Sequence, residues 1–256
     1  MKTIAILNLK GGVAKTTTAI NMAAIMATEH DKRVLLVDAD SQGDATKTLL
    51  PPGEYNTLAD LLLDPMQYVH DLIYRSSVRG LDVLPSDFAL ATVGMPNVNK
   101  GRYSQRALLD LRDELSGEYV YDYIIIDCPS SFIHPGAQAA VLAADEIIVP
   151  VKADAYSISG AAELAAQVDC LRSVNPGLRV AGCVLTMYYR DEYVDRKIAE
   201  FTESAPVHIY SARIRRSAKA DGGTESAGGI MPYSPRSAIA RDTRAFVAEY
   251  LGGEGK

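Results

Sequence analysis

The stretch Lys10-Gly11-Gly12-Val13-Ala14-Lys15-Thr16-Thr17 constrains this chain more than any other. It lies between an apolar, strand-length run at residues 2–9 and a helix-length run at residues 16–29. The glycines let the backbone turn tightly enough for successive N–H groups to face one anion. The helix that follows adds its unsatisfied N-terminal donors and the positive end of its dipole. Lys15 would then bring a cation to β- and γ-phosphates, and the Thr16 hydroxyl would complete a Mg²⁺ site. The usual GxxxxGK[ST] spacing fails at both glycines, where Leu9 and Ala14 stand. A glycine turn with solvated lysines is the competing reading, and the strand–turn–helix placement weighs against it. If position 14 requires a positive φ, alanine costs about 1–2 kcal/mol there; if the backbone is already helical it costs nothing.

The rest of the chain repeats that alternation. Strands are expected at 33–38, 81–84, 123–127, 146–151 and 179–186, and helices at 104–115, 157–172, 194–203 and 237–251. Most strand runs are apolar on both faces, as in a parallel sheet covered by helices on each side. The expected fold is therefore α/β: doubly wound, mostly parallel, with ligands outside the carboxyl ends of the strands. One domain spanning 1–256 is expected, with Met1 leading directly into the first strand and no N-terminal helix-turn-helix extension. The glycine-rich stretch 221–229 reads as a surface loop and 252–256 as a frayed tail.

Composition excludes several classes. Cys128, Cys170 and Cys183 form no CxxC pair, so they read as reduced core residues rather than metal ligands. No signal peptide is visible, and the best membrane candidate, 137–150, is broken by Asp145 and Glu146. A cytoplasmic protein is expected. The net charge of −6 argues against a basic protein overall but leaves room for a local basic patch.

Carboxylates complete the first motif. In an extended chain Asp38 and Asp40 project to one face, at the carboxyl end of a strand beside the phosphate loop. The run YIIID at 123–127 delivers Asp127 from a buried strand toward a Mg²⁺ hydration shell. Aspartates also form turns after strands, so their weight comes from the neighbouring loop. Further on, Arg213, Arg215, Arg216 and Lys219 place four cations in seven residues. Such a cluster is either a solvated surface or a phosphate-binding patch with steep salt dependence.

The segment KGGVAKTTTAINMAA resembles the deviant Walker A motif of the ParA/MinD family of dimeric ATPases, within it the short, Soj-like ParA type that segregates DNA. DADSQG at 38–43 is similar to the family's DxDPQG, with Ser41 in place of proline. DCPSSFI at 127–133 stands where the family has DxPPxxG, without the second proline or the glycine. ADEIIVPV at 144–151 and GCVLTMY at 182–188 resemble the family's ADEVLIPV and GVLLTMYD, while the adenine-facing IPRN loop is replaced by YSARI at 210–214.

The resemblance implies a P-loop ATPase domain with ATP and Mg²⁺ as cofactors. It implies that Lys10 reaches across a nucleotide-sandwich homodimer, that Lys10, Lys15 and Asp40 are catalytic with Asp40 positioning the attacking water, and that Thr16, Asp38 and Asp127 serve the metal, Asp38 through Mg²⁺ or the loop. It implies non-specific double-stranded DNA as a partner, through Arg190, Arg213, Arg215, Arg216 and Lys219. A ParB-like activator of slow hydrolysis, no membrane partner and nucleoid association in the ATP state are also implied. The alternatives are a MinD-like membrane-cycling ATPase, which would need an amphipathic C-terminal helix where 245–256 is acidic and glycine-rich, and a nucleotide switch without efficient hydrolysis. A reductase iron protein would need cysteines bridging a dimer, and a small-molecule ligase a dedicated substrate pocket.

Overall fold

Six of the strands carry buried apolar side chains on both faces, because helices cover the sheet on each side. The computed structural model describes residues 1–118, 120–154, 161–224 and 228–253. Its strands are β1 (Lys2–Ile6), β2 (Val34–Asp38), β3 (Tyr74–Arg75), β4 (Leu81–Leu84), β5 (Tyr123–Asp127), β6 (Glu146–Lys152), β7 (Arg179–Tyr188) and β8 (Ile209–Arg215). They form one eight-stranded sheet in the order β3-β4-β2-β5-β1-β6-β7-β8. Every neighbouring pair is parallel except β3 with β4. The expected doubly wound, mostly parallel sheet is the one found.

Side-chain alternation divides the core in two. Ile4, Ile6, Val34, Leu36 and Ile125 face α1 (Lys15–Glu29), α2 (Asp44–Leu49) and a C-terminal helix, Ala238–Gly253. Ala5, Leu35, Val37, Ile124 and Ile126 face the other way. There they meet α3 (Leu58–Leu63), α4 (Ala107–Glu118), α5 (Pro135–Ala143), α6 (Ala161–Val174) and α7 (Glu192–Ser204). Two short helices, α8 (Lys219–Thr224) and α9 (Ile230–Tyr233), precede the C-terminal helix, α10.

Some expectations are corrected. The start of the helix expected at 157–172 lies outside the described residues; its described part is α6. The stretch 221–229 is not simply a surface loop: α8 runs into it, residues 225–227 lie outside the described residues, and Gly228 and Gly229 are buried. Glycine is needed there, since a Cβ on Gly229 (φ +78°) would meet Ile20 at 2.8 Å, and the next amide, Ile230 N–H, donates to Asn21 Oδ1 at 3.0 Å. The close approach clamps α9 onto α1. Of the tail expected to fray, Gly252 and Gly253 are helical in α10, and 254–256 lie outside the described residues.

Candidate functional site

The phosphate loop leaves β1 and is held open at both ends. Asn8, a polar residue in an apolar run, donates from Nδ2 to Pro150 C=O at 2.8 Å and accepts from Lys10 N–H at 2.9 Å. The Thr186 hydroxyl, from β7, donates to Val13 C=O at 3.0 Å. Gly12 sits at φ +67° with open space around it. Ala14 sits at φ 64°, ψ 37°, immediately before α1. The left-handed backbone therefore costs this alanine about 1–2 kcal/mol. No side chain caps α1, so its first amide groups face the loop.

Lys15 is almost fully buried. Its ammonium donates to Ser130 Oγ at 2.7 Å and, at the limit of a hydrogen bond, to Lys10 C=O at 3.4 Å. Burial pulls its pKa below the ordinary lysine value, against the opposing pull of Asp127, Cys128 and Asp40. The Thr16 hydroxyl hydrogen-bonds the Asp127 carboxyl.

The carboxylates converge because β2 and β5 are in register. Asp38 pairs with Asp127 across the ladder, and Ile6 at the end of β1 pairs with Asp127 from the other side. Asp38 is fully buried, and both its oxygens are engaged: Oδ1 accepts from Asp40 N–H at 3.2 Å, and Oδ2 from Thr46 N–H at 2.8 Å and Thr46 Oγ1 at 2.7 Å. Burial pushes its pKa up to about 6 against those hydrogen bonds. Asp127 is held well above the carboxylate range by burial and then by Asp38, and its Oδ1 is buried without a hydrogen-bond partner. Asp40 is only partly buried; its Oδ1 accepts from Gln42 N–H at 3.0 Å and it lines the cleft. No cluster of three or more His, Cys, Asp or Glu side chains suited to a metal exists among the described residues.

A cleft of about 860 Å³ runs from this loop to the far edge of the sheet. One end is lined by residues 12–18, Asp40 and Ser130, the other by Ile214, Ala218, Ile239 and Thr243. The divergent segment after residue 210 thus reaches the cleft as an edge strand and the turn beyond it.

The basic cluster is split by its surroundings. Arg213 pairs with Asp195 at 2.8 Å and lies over the Tyr188 ring. Arg215 makes a two-pronged pair with Asp242, both contacts at 2.8 Å, and lines the cleft beside Arg216. Arg190, Arg216 and Lys219 are exposed and have no ion pair among the described residues.

A family model described as "AAA domain" matches residues 1–180. The chain is also 36% identical over 204 residues to the chromosome partitioning protein ParA of Caulobacter vibrioides, covering 78% of this chain and 74% of that one. The chain belongs to the ParA/MinD family. Within that family it is 34% identical over 245 residues to the sporulation initiation inhibitor protein Soj of Bacillus subtilis, with 92% of each chain covered. The septum site-determining protein MinD of Pyrococcus horikoshii, solved in complex with Mg-ADP, superposes with a TM-score of 0.77 at 25% identity, covering 100% of this chain and 98% of that one.

Several residues escaped sequence reasoning. Asn8 was signalled by its polarity within an apolar strand run, and Thr186 by its place at a strand's carboxyl end. Gly136 permits a contact no motif announces, since a Cβ there would collide with Ala39 C=O. His134, whose Nδ1 accepts from Gly136 N–H at 3.2 Å, sits at the N-terminus of α5. Burial pulls its pKa down, with Asp40 opposing.

Proposed function

We propose that this protein is a partition ATPase whose ATP-bound form dimerises and binds DNA non-specifically, and whose slow, partner-stimulated hydrolysis resets it. The observation that carries the reading is the meeting of Lys15, Thr16 and the unpartnered Asp127 Oδ1 at the mouth of a loop preceding an uncapped helix. A triphosphate would meet the loop amides and Lys15 with complementary charge. An orphaned buried carboxylate oxygen beside a threonine hydroxyl suits a Mg²⁺ hydration shell. Mg²⁺ favours one or two protein ligands plus phosphates and water, in keeping with the lack of a protein cage among the described residues.

In this reading Lys10 through Thr17 hold the phosphates, while Thr16 and Asp127 hold the metal. Asp38, whose oxygens already accept three protein hydrogen bonds, braces the turn that carries Asp40. The bound metal would neutralise charge on the β- and γ-phosphates. Lys15 stabilises charge on the transferring group, Asp40 orients the attacking water from the exposed side, and Lys10 serves the partner's site in the dimer. Exposed Arg190, Arg216 and Lys219 supply phosphate contacts to DNA.

A peripheral membrane role is less well supported. The apolar residues of α10 are already buried in the core: Phe246 and Val247 are fully buried, and Tyr250 nearly so. Among the described residues no helix is long and apolar enough to cross a membrane.

Duplex DNA binding with ATP, ADP or no nucleotide, measured across a salt series, tests the reading. Binding confined to ATP and lost steeply with salt is expected. ATP-driven dimers that bind no DNA in any state would sink it. Asp40→Ala should retain ATP-dependent DNA binding while turnover falls about 100-fold or more; unchanged turnover would remove Asp40 from the mechanism.

A further inference from the structure

Ser130 stands where the family's motif has its second proline, and it is the side chain that receives the Lys15 ammonium, at 2.7 Å. A hydroxyl has one proton to donate besides the lone pairs that accept. By accepting from Lys15, Ser130 turns that proton away from the lysine, and the neighbouring positive charge polarises it. No group accepts it among the described residues. The hydroxyl also lines the cleft and hangs over the phosphate loop: a Cβ built on Gly11 would lie 3.9 Å from Ser130 Oγ. A charged donor, a solvent-facing neutral donor and a glycine backbone therefore face one small volume.

We infer that Ser130 is a terminal-phosphate ligand, donating its hydroxyl to the γ-phosphate that Lys15 engages, and so raises the preference of this site for a triphosphate over a diphosphate. This rests on the reading of the site as an ATP site. Proline at the same position could bend the chain but could donate nothing. The hydroxyl thus adds a contact in the loop that departs from the family pattern, and places it on the one phosphate that distinguishes ATP from ADP.

The test is calorimetric titration of the full chain with Mg²⁺-ADP and with the β,γ-imido analogue of ATP, using wild type, Ser130→Ala, Ser130→Pro and Ser130→Thr. Thermal melts of each variant establish that it is folded. A hydrogen bond to a charged phosphate predicts about a tenfold or greater loss of triphosphate affinity in Ser130→Ala and Ser130→Pro, with ADP affinity changed less than about twofold. Ser130→Thr, which keeps the hydroxyl, should stay near wild type. Equal losses for both nucleotides would reduce Ser130 to a support for Lys15 and overturn the inference. Equal tightening would show that the hydroxyl competes with phosphate for the lysine, and would overturn it too, as would no change. A wild-type chain that binds neither nucleotide would instead bring down the ATP reading itself.

Discussion

The two ends of the cleft treat charge in opposite ways. At the phosphate loop, Lys15 is buried against a neutral hydroxyl, and Asp127 keeps an oxygen with no partner. At the far edge two arginines are closed onto carboxylates, Arg213 on Asp195 and Arg215 on Asp242, while Arg216 and Lys219 have no ion pair among the described residues. The edge strand β8 has a neighbour on one side only, and its arginines tie it to the helices on both faces. Half of the cation cluster in the sequence therefore fastens the edge, whereas unmatched charge at the loop marks a place for a ligand.

The sharpest way to break the loop end is Gly136→Ala. The N-terminus of α5 presses so closely on the turn carrying Asp38 and Asp40 that an added methyl would run into Ala39 C=O, 3.0 Å from its carbon. Both partners are backbone, so neither can rotate aside. A loss of about 3 kcal/mol is expected, read as a lower urea midpoint at unchanged slope. ATP turnover should fall with it, because relief of the clash displaces Asp40. A neutral variant would mean that this corner is looser than its contacts indicate.

That glycine also marks the boundary of what the sequence made legible. The phosphate loop, Asp38, Asp40 and Asp127 could be placed because each follows directly from a strand whose apolar run is plain, and parallel pairing brings strand ends together. The boundaries of β4 and β5 were read to the residue for the same reason. β8 escaped because YSARIRR looks like a charged loop. Its alternation becomes intelligible only once Asp195, Asp242 and Glu249 stand opposite it, and those partners are 18 to 38 positions away in sequence. β3 escaped because two residues give no periodicity.

A second experiment sharpens the contrast at the edge itself. If paired arginines fasten and unpaired ones bind, the four cations of the run should divide into two classes. Arg216→Ala with Lys219→Ala should lower the slope of log affinity for DNA against log salt by roughly 2, at little cost to stability. Arg213→Ala with Arg215→Ala should alter that slope less and instead lower Tm slightly, as the loss of exposed ion pairs does. Equal effects of the two double variants on DNA binding would mean that paired and unpaired cations serve the same role.

The smallest expected effect lies in the phosphate loop and has the opposite sign to the others. Ala14 adopts φ 64°, ψ 37°, a left-handed conformation that costs an alanine about 1–2 kcal/mol and a glycine nothing. The usual GxxxxGK[ST] pattern has glycine at this position, and Ala14→Gly should relieve strain. Against that stands the larger conformational freedom of glycine in the unfolded chain, worth about 0.4–1 kcal/mol. The difference favours the variant by roughly 0.5–1 kcal/mol, or about 1–4 °C in Tm for a domain of this size. Differential scanning calorimetry without nucleotide would register it. A rise would locate stored strain at the loop end of the cleft, where Thr18 N–H and Oγ1 both bond to Ala14 C=O and hold the residue in place. A fall would mean that those two bonds are better made by the stiffer residue, so that alanine preorganises the loop by more than its left-handed backbone costs.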